Sequence, residues 1–226
     1  MNRGLTAAAL ALLIVPLVAG CSLLPGSKAT PAGPTQPPPL SAGQHRSAVF
    51  QPALTFTVPD GWTNPVDDAT YFELMPVLDQ NSGIHLFHNW QALSQAASCP
   101  YAPEPGVGTG AQALVTWIRS LKGLSVTQPV LVSVGGLPAT TIDVRITPNW
   151  TQSCSFANGL PTVPLLIDPT QKLHWVVAGN ETMRLYILDI LGGTLIVNLD
   201  SFDGVGFPSL LTNASPIVKS LTIAVQ

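Results

Sequence analysis

Cys21 has the most defined chemical setting in this sequence. Leu17-Val18-Ala19-Gly20 precede it and close an apolar run, the pattern at which bacterial signal peptides are cut so that the new N-terminal cysteine carries lipid. Arg3 supplies the positive start, Leu5 to Val18 an uncharged middle, and Ala19 and Gly20 the small residues that fit a peptidase pocket. The run is too short to span a bilayer as a helix. A thioether-linked diacylglyceryl group brings two acyl chains, and at about 0.8 kcal/mol per buried methylene two chains hold a protein where one is marginal. An ordinary secretory leader with an incidental cysteine is the alternative reading of the same residues.

Cys99 and Cys154 remain after Cys21, and an even pair in an exported domain reads first as a disulfide. Closing that loop contributes about 4 kcal/mol on the chain-entropy account. Neither cysteine has a CxxC partner or an adjacent histidine, which speaks against a metal site or a nucleophile. His85 and His88 are three apart on a strand-like segment, so their side chains face opposite sides and do not share a metal. Each is expected to be a strand histidine with a partly buried, hydrogen-bonded ring, and so is His174 beside Trp175. Asp200-Ser201-Phe202-Asp203-Gly204 sets two carboxylates at a glycine turn, but the further oxygen ligands of a calcium loop are not evident, so a capped, solvated turn is expected. Asp67-Asp68 reads in the same way as a turn or helix cap. Of Trp62, Trp90, Trp117, Trp150 and Trp175, most are expected in the core, and Trp150, in the polar loop Pro148 to Gln152, is expected to be exposed. Neither a nucleophile elbow, a Ser-x-x-Lys pair nor a phosphate-binding glycine loop occurs. No cofactor, metal or catalytic residue is expected.

The elements that must position these side chains fall into three segments. Residues 1–20 form the leader. Residues 21–45 carry Pro25, Pro31, Pro34, Pro37, Pro38 and Pro39 among Gly, Ser, Thr and Ala, which reads as a tether reaching up to about 70 Å. Residues 46–226 form one domain, long enough to bury around 70% of its unfolded surface in a single core. Removing the leader takes away Arg3 and moves the formal charge from −3 to −4. Lys and Arg neither cluster nor suffice to neutralise a phosphate backbone, which excludes nucleic acid as a partner. Charged residues are only 9% of the chain, so Thr, Ser, Asn, Gln and apolar side chains cover much of the surface, which suits an envelope partner or lipid.

Within the domain, strands are predicted at Leu54 to Val58, Tyr71 to Met75 and Ile84 to His88, with Trp62 covering the core edge. Ala111, Leu114, Ile118 and Leu121 then recur at helical spacing, with Thr109 as N-cap, Gln112 as its box partner and Gly123 as the stop. Val130 to Val134 and Ala139 to Ile146 flank a Gly135-Gly136 turn, with Ile142, Val144 and Ile146 inward and Thr141, Asp143 and Arg145 outward. Val163 to Ile167, Leu173 to Ala178, Met183 to Ile190 and Thr194 to Leu199 continue as hairpin strands, and a meandering antiparallel sheet is the economical arrangement. Leu210, Leu211, Ala214, Ile217, Val218 and Leu221 mark a closing helix that Pro216 should kink, or restart with Ser215 as cap. The fold class is α+β, an antiparallel β-sheet flanked by helices.

Pro59-Asp60-Gly61-Trp62 at the end of the first strand, the mid-chain helix, the hairpin around Gly136-Leu137-Pro138-Ala139 and the close at Ser220-Leu221-Thr222-Ile223 resemble the PsbP-like family. Members that also carry the cysteine motif resemble actinobacterial, mycobacterial-type envelope lipoproteins. The resemblance implies an α/β/α sandwich serving as a non-enzymatic accessory module, with no catalytic residues to carry over. The expected protein is a lipid-anchored module on the extracytoplasmic face of the cell membrane, binding an envelope protein or other envelope component. One alternative is a carrier holding a lipid or other hydrophobic ligand in an apolar cavity, and a remoter one is a hydrolase with an unrecognised site.

Overall fold

A computed structural model describes residues 37–224, and all counts below are made among them. The leader, Cys21 and most of the proline-rich segment lie outside the described residues. In chain order the elements are β1 (Gly43–Arg46), β2 (Leu54–Val58), β3 (Trp62–Asp67), β4 (Tyr71–Pro76), β5 (Ser82–His88), β6 (Gln91–Ala92), α1 (Ala111–Ser120), β7 (Leu124–Val126), β8 (Val130–Val134) and β9 (Leu137–Ile146). After a short 3-10 turn at Ser155–Ala157 come β10 (Thr162–Ile167), β11 (His174–Ala178), β12 (Thr182–Ile190), β13 (Gly193–Ser201), α2 (Phe207–Ser220) and β14 (Thr222–Ile223).

An eight-stranded antiparallel sheet in the order β3-β4-β5-β13-β12-β9-β7, with β8 extending the edge along β9, forms the centre. Its strands are apolar on both faces, so alternate residues feed two cores. On one face Phe72, Leu74, Ile84, Leu86, Leu195, Val197 and Leu199 pack with α2 and with Leu54, Phe56 and Val58 of β2. On the other, Phe87, Ile142, Val144, Leu185, Ile187 and Ile196 pack with α1 and with Val163, Leu165 and Leu166 of β10. Each face is therefore covered by one helix and one three-stranded sheet, β1-β2-β14 on the α2 side and β11-β10-β6 on the α1 side. This is the α+β architecture the sequence predicts. The single meander is replaced by three sheets: all six residues of β10 are buried, and the strand leaves the main sheet to pair with β6 and β11.

Three local differences have physical causes. The chain is held from residue 37 onward, well inside the expected tether: Thr63 Oγ1 donates to the Pro37 carbonyl, Leu40 N–H donates to the Trp62 carbonyl at 2.7 Å, and β1 pairs with β2 while the His45 ring stacks on Phe56. Thr109 does not cap α1; Gly110 precedes the helix, and the Ala111 N–H donates to Asp189 Oδ1 at 2.8 Å from the β12–β13 hairpin. Thr109 instead gives its carbonyl to Thr194 Oγ1. Finally, α2 runs unbroken through Pro216, because the burial of Ala214, Ile217 and Val218 around it outweighs one missing backbone bond, and Ser215 Oγ donates to Leu211 O rather than starting a new helix.

Candidate functional site

Strand register assembles a polar cluster on the α1 side of the sheet. Glu73 on β4 stands directly opposite His85 on β5, and His85 stands opposite Asn198 on β13. Gly83 stands opposite Asp200, and the His85 ring leans over that glycine to bring Nε2 within 3.1 Å of Asp200 Oδ1. A Cβ at residue 83 would lie 2.6 Å from Nε2, so the absence of a side chain there is what lets the two groups meet. The other ring nitrogen, Nδ1, is 2.9 Å from the Tyr71 hydroxyl and 3.5 Å from Glu73 Oε1. Glu181, just before β12, adds a third carboxylate near Asp200; it accepts the Ala178 N–H at 2.9 Å.

Glu73, His85, Glu181 and Asp200 line a pocket of about 370 Å3 together with Met75, Gln80, Asn81, Ser82, Trp175 and Phe202. His85 is 4% exposed, Glu181 and Asp200 6% each, and Trp175 lies 4.5 Å from the imidazole, ring centre to ring centre. No Lys or Arg lines the pocket. Arg184 of β12 is held on the opposite face by two hydrogen bonds from its guanidinium to Asp143, at 2.6 and 2.8 Å. The indole Nε1 of Trp175, a residue of this wall, has no partner among the described residues, whereas the unpartnered Ser82 Oγ lies beside Gly206 on the α2 side of the sheet. Native interiors rarely leave such atoms unpaired.

Charge follows from this packing. Burial pushes the Glu181 carboxyl well up, and the neighbouring Asp200 charge adds to the effect. Burial also raises Glu73, where His85 pulls the other way. For His85, burial alone would lower the imidazole, but Asp200 and then Glu73 more than reverse this and raise it. Tyr71 is raised by burial and by both acids, and stays a phenol. The result is a hydrogen-bonded chain Asp200–His85–Tyr71 with Glu73 beside it, in which Glu73 and His85 hold their protons more readily than the isolated groups do. It is poorly suited to hydrolysis. A serine nucleophile needs an imidazole nitrogen as base, yet both nitrogens of His85 are engaged and Ser82 Oγ has no partner.

His85 and His88 face opposite sides as expected; His88 packs edge-on to Phe50 in the other core. His174 lies between the Tyr101 and Phe156 rings, 4.6 Å from each, away from the cluster. Cys99 and Cys154 form the disulfide, with Cα atoms 5.8 Å apart. Asp67 caps a turn, accepting the N–H groups of Ala48, Val49 and Phe50. The expected solvated turn at 200–204 is correct only for Asp203, which accepts the Val205 and Gly206 N–H groups ahead of α2; Asp200 belongs to β13 and points into the pocket. Trp150 is half-buried instead of exposed, because its indole N–H donates to the Thr162 carbonyl at 3.0 Å and its ring packs on the α1-side core. Glu73, Tyr71 and Glu181 were not singled out from sequence. The signal available was a histidine set in an apolar run, Ile84-His85-Leu86-Phe87, which points to a strand buried on both faces.

Fold and site together define an α+β sandwich with one acid-rich pocket at the edge of its central sheet's α1-side core. No family model matches the chain, and no curated protein matches it. Among solved structures it is similar to PsbP (CyanoP) of Synechocystis, at 11% identity and a TM-score of 0.41 over 88% of this chain and 99% of that one. It is similar to LpqN, described as involved in cell envelope biogenesis of Mycobacterium tuberculosis, at 14% identity and a TM-score of 0.41 over 80% and 91%. A Bacteroides thetaiotaomicron protein shares 10% identity at a TM-score of 0.34 over 75% of this chain, which spans only 44% of that longer one. These are loose likenesses, and the fold class rests on the observed sheet order. No helix among the described residues is long and apolar enough to cross a membrane.

Proposed function

We propose that this protein is a lipid-anchored, non-enzymatic binding module of the bacterial cell envelope, displayed on the extracytoplasmic face through Cys21, and that the His85 pocket is where it takes hold of its ligand. The supporting observation is the pocket wall. A cluster of buried ionisable groups, with both imidazole nitrogens engaged, lines a space shared with Trp175, whose Nε1 has no partner. Such a site is built to bind rather than to turn over. The test is native mass spectrometry of the detergent-solubilised chain after incubation with an envelope extract. A mass adduct on the wild type that is lost in Met75→Trp, which fills the pocket from its half-buried rim, supports the reading. Adducts equal in both proteins reject it.

A second reading, a carrier of a hydrophobic ligand, is favoured by a separate open groove of about 890 Å3 between the β2–β3 turn and α2, lined by Val58, Pro59, Trp62, Pro76, Leu78 and Pro216. Leu78 is 98% exposed on its rim. A lipid adduct that survives Met75→Trp and disappears in Leu78→Glu identifies this groove as the binding site.

A further inference from the structure

We propose that the free edge of β8 pairs with the same edge of a second copy of this chain, antiparallel about a two-fold axis at Val132. The inference is independent of what the His85 pocket binds. The two ends of the central sheet are finished differently. At β3 the outer edge is closed by the chain's own residues: Leu40 N–H donates to the Trp62 carbonyl and Thr63 Oγ1 to the Pro37 carbonyl. Pro65 and a register irregularity between Thr63 and Val66 further interrupt that strand. Such devices keep sheet edges from pairing with another chain. At the opposite end β8 pairs with β9 alone among the described residues, and its edge carries none of them. No Lys, Arg, Asp, Glu or His occurs from Gly123 to Ile142, and Val130 and Leu131 stand 56% and 83% exposed. An uncharged, apolar, unguarded edge is a template for a further strand.

The hairpin turn decides which backbone groups that edge offers. Gly135 and Gly136 both have positive φ, 60° and 78°, the two-residue turn whose closing pair, Val134 and Leu137, exchanges both backbone bonds. Bonding pairs then alternate along the ladder. Val132 and Val130 bond to β9, whereas the N–H and C=O groups of Leu131 and Ser133 point away from it, and no described residue bonds to them. Pro138 stands opposite Ser133, a position where β8 asks for no N–H, as this alternation requires. The register that satisfies all the outward groups sets Leu131 against the second copy's Ser133 and Ser133 against its Leu131, with Val132 meeting itself at the axis. Sliding one copy to bring Pro129 opposite Ser133 leaves the Ser133 carbonyl without a donor, because proline has no N–H. The contact is therefore self-complementary, as a two-fold interface must be, and it opposes no like charges. A five-residue edge buries less than the roughly 1,200 Å2 at which standard interfaces begin, so the pair is concentration-dependent. In the proposed anchored state, confinement to one membrane supplies that concentration.

The experiment is disulfide trapping of the full chain carrying Val132→Cys, by mild oxidation of intact cells and non-reducing electrophoresis. Opposed Cβ atoms of an antiparallel pair lie about 4.5–5.5 Å apart, close enough for two cysteines to bridge at the axis. The expected result is a linked dimer that forms at least about tenfold faster than from Leu191→Cys, whose side chain is 72% exposed on the β12–β13 turn and reports chance collision. Two further changes, each added to Val132→Cys, should cut the linking at least about tenfold. Leu131→Lys puts a charge on the edge, and Ser133→Pro removes an outward N–H while leaving the bonds of β8 to β9 in place. Circular dichroism melts of the purified chains confirm that each variant is folded. Linking no faster than that of Leu191→Cys overturns the pairing. Linking that survives both added changes overturns the β8 edge as the contact. Val132→Cys linked to a different protein instead of to itself overturns the second copy as the occupant.

Discussion

At the scale of single residues, Gly83 is the one the pocket depends on most directly. A methyl group there would meet His85 Nε2 at 2.6 Å and the Leu74 carbonyl at 3.3 Å, and neither the ring nor the backbone yields cheaply. Gly83→Ala should cost about 1–3 kcal/mol in chemical denaturation. Combined with His85→Ala it should cost clearly less than the sum of the two changes, because the clash goes with the ring. The same residues make stability depend on pH. The folded state raises Glu181 and Glu73 above the ordinary 4.5 and His85 above 6.5, so it holds more protons than the unfolded chain. Their contribution is therefore fully present at low pH and is lost as pH rises through each raised value. Asp168 and exposed Asp203, lowered below 3.8, act oppositely at the acid end, as do His88 and His174, which burial pushes below 6.5. The prediction is accordingly made on a difference: Glu181→Gln should gain melting temperature relative to wild type as pH rises from the ordinary 4.5 toward the raised value of Glu181, and the gain should level off above it. A flat difference would remove Glu181 as a proton-holding group. Sequence alone showed that His85 sits in a strand, but not that Glu73 and Asp200 flank it. That depends on two strand registers, β4 on β5 and β5 on β13, joining residues up to 115 positions apart.

Among the elements, α1 shows how far local pattern reaches. Its apolar stripe was legible, because Ala111, Leu114 and Ile118 face the core as the spacing predicts. Its start was not, since the capping carboxylate comes from Asp189, 78 residues away across the sheet. Thr109 and Gln112 had the right types for a local cap. The tertiary arrangement instead draws the Thr109 carbonyl to Thr194 Oγ1 and leaves the helix N-terminus facing an acid, which the helix dipole favours. Asp189→Ala should therefore cost about 1 kcal/mol, within the usual range for a lost cap. Hydrogen exchange should show the loss concentrated in the first turn of α1 and at Thr194, whereas Thr109→Ala, whose side chain makes no capping bond, should be near neutral. The division of strands among sheets was hidden for a related reason. β10 and β13 are both buried along nearly their whole length, and only the partners at their edges decide that β13 joins the central sheet and β10 covers it.

For the whole molecule, the question is what keeps it at a membrane, and the domain itself offers little. The formal charge of residues 46–226 is −5, from 7 Lys and Arg against 12 Asp and Glu, which gives no attraction to an anionic leaflet, and these few Lys and Arg do not cluster in the sequence. Among the described residues no helix can span a bilayer. In the proposed reading, attachment is the task of Cys21. The fold holds the chain from residue 37 onward, so the proposed anchor has residues 21–36 as its spacer, whose full reach at ~3.1 Å per residue is about 50 Å. That reach lets the pocket meet soluble or neighbouring envelope partners. It also means that no contact of the domain with lipid is needed for binding. Cys21→Ala should therefore abolish acyl labelling and move the protein wholly, rather than partly, into the soluble fraction. Residues 1–20 are best exchanged for an ordinary secretory leader in that variant, so that an uncut apolar run does not hold the chain. Acyl label retained by the variant would remove Cys21 as the lipid site. An unlabelled protein that still sediments with membranes would mean that the domain, through a partner or its apolar groove, supplies the attachment itself.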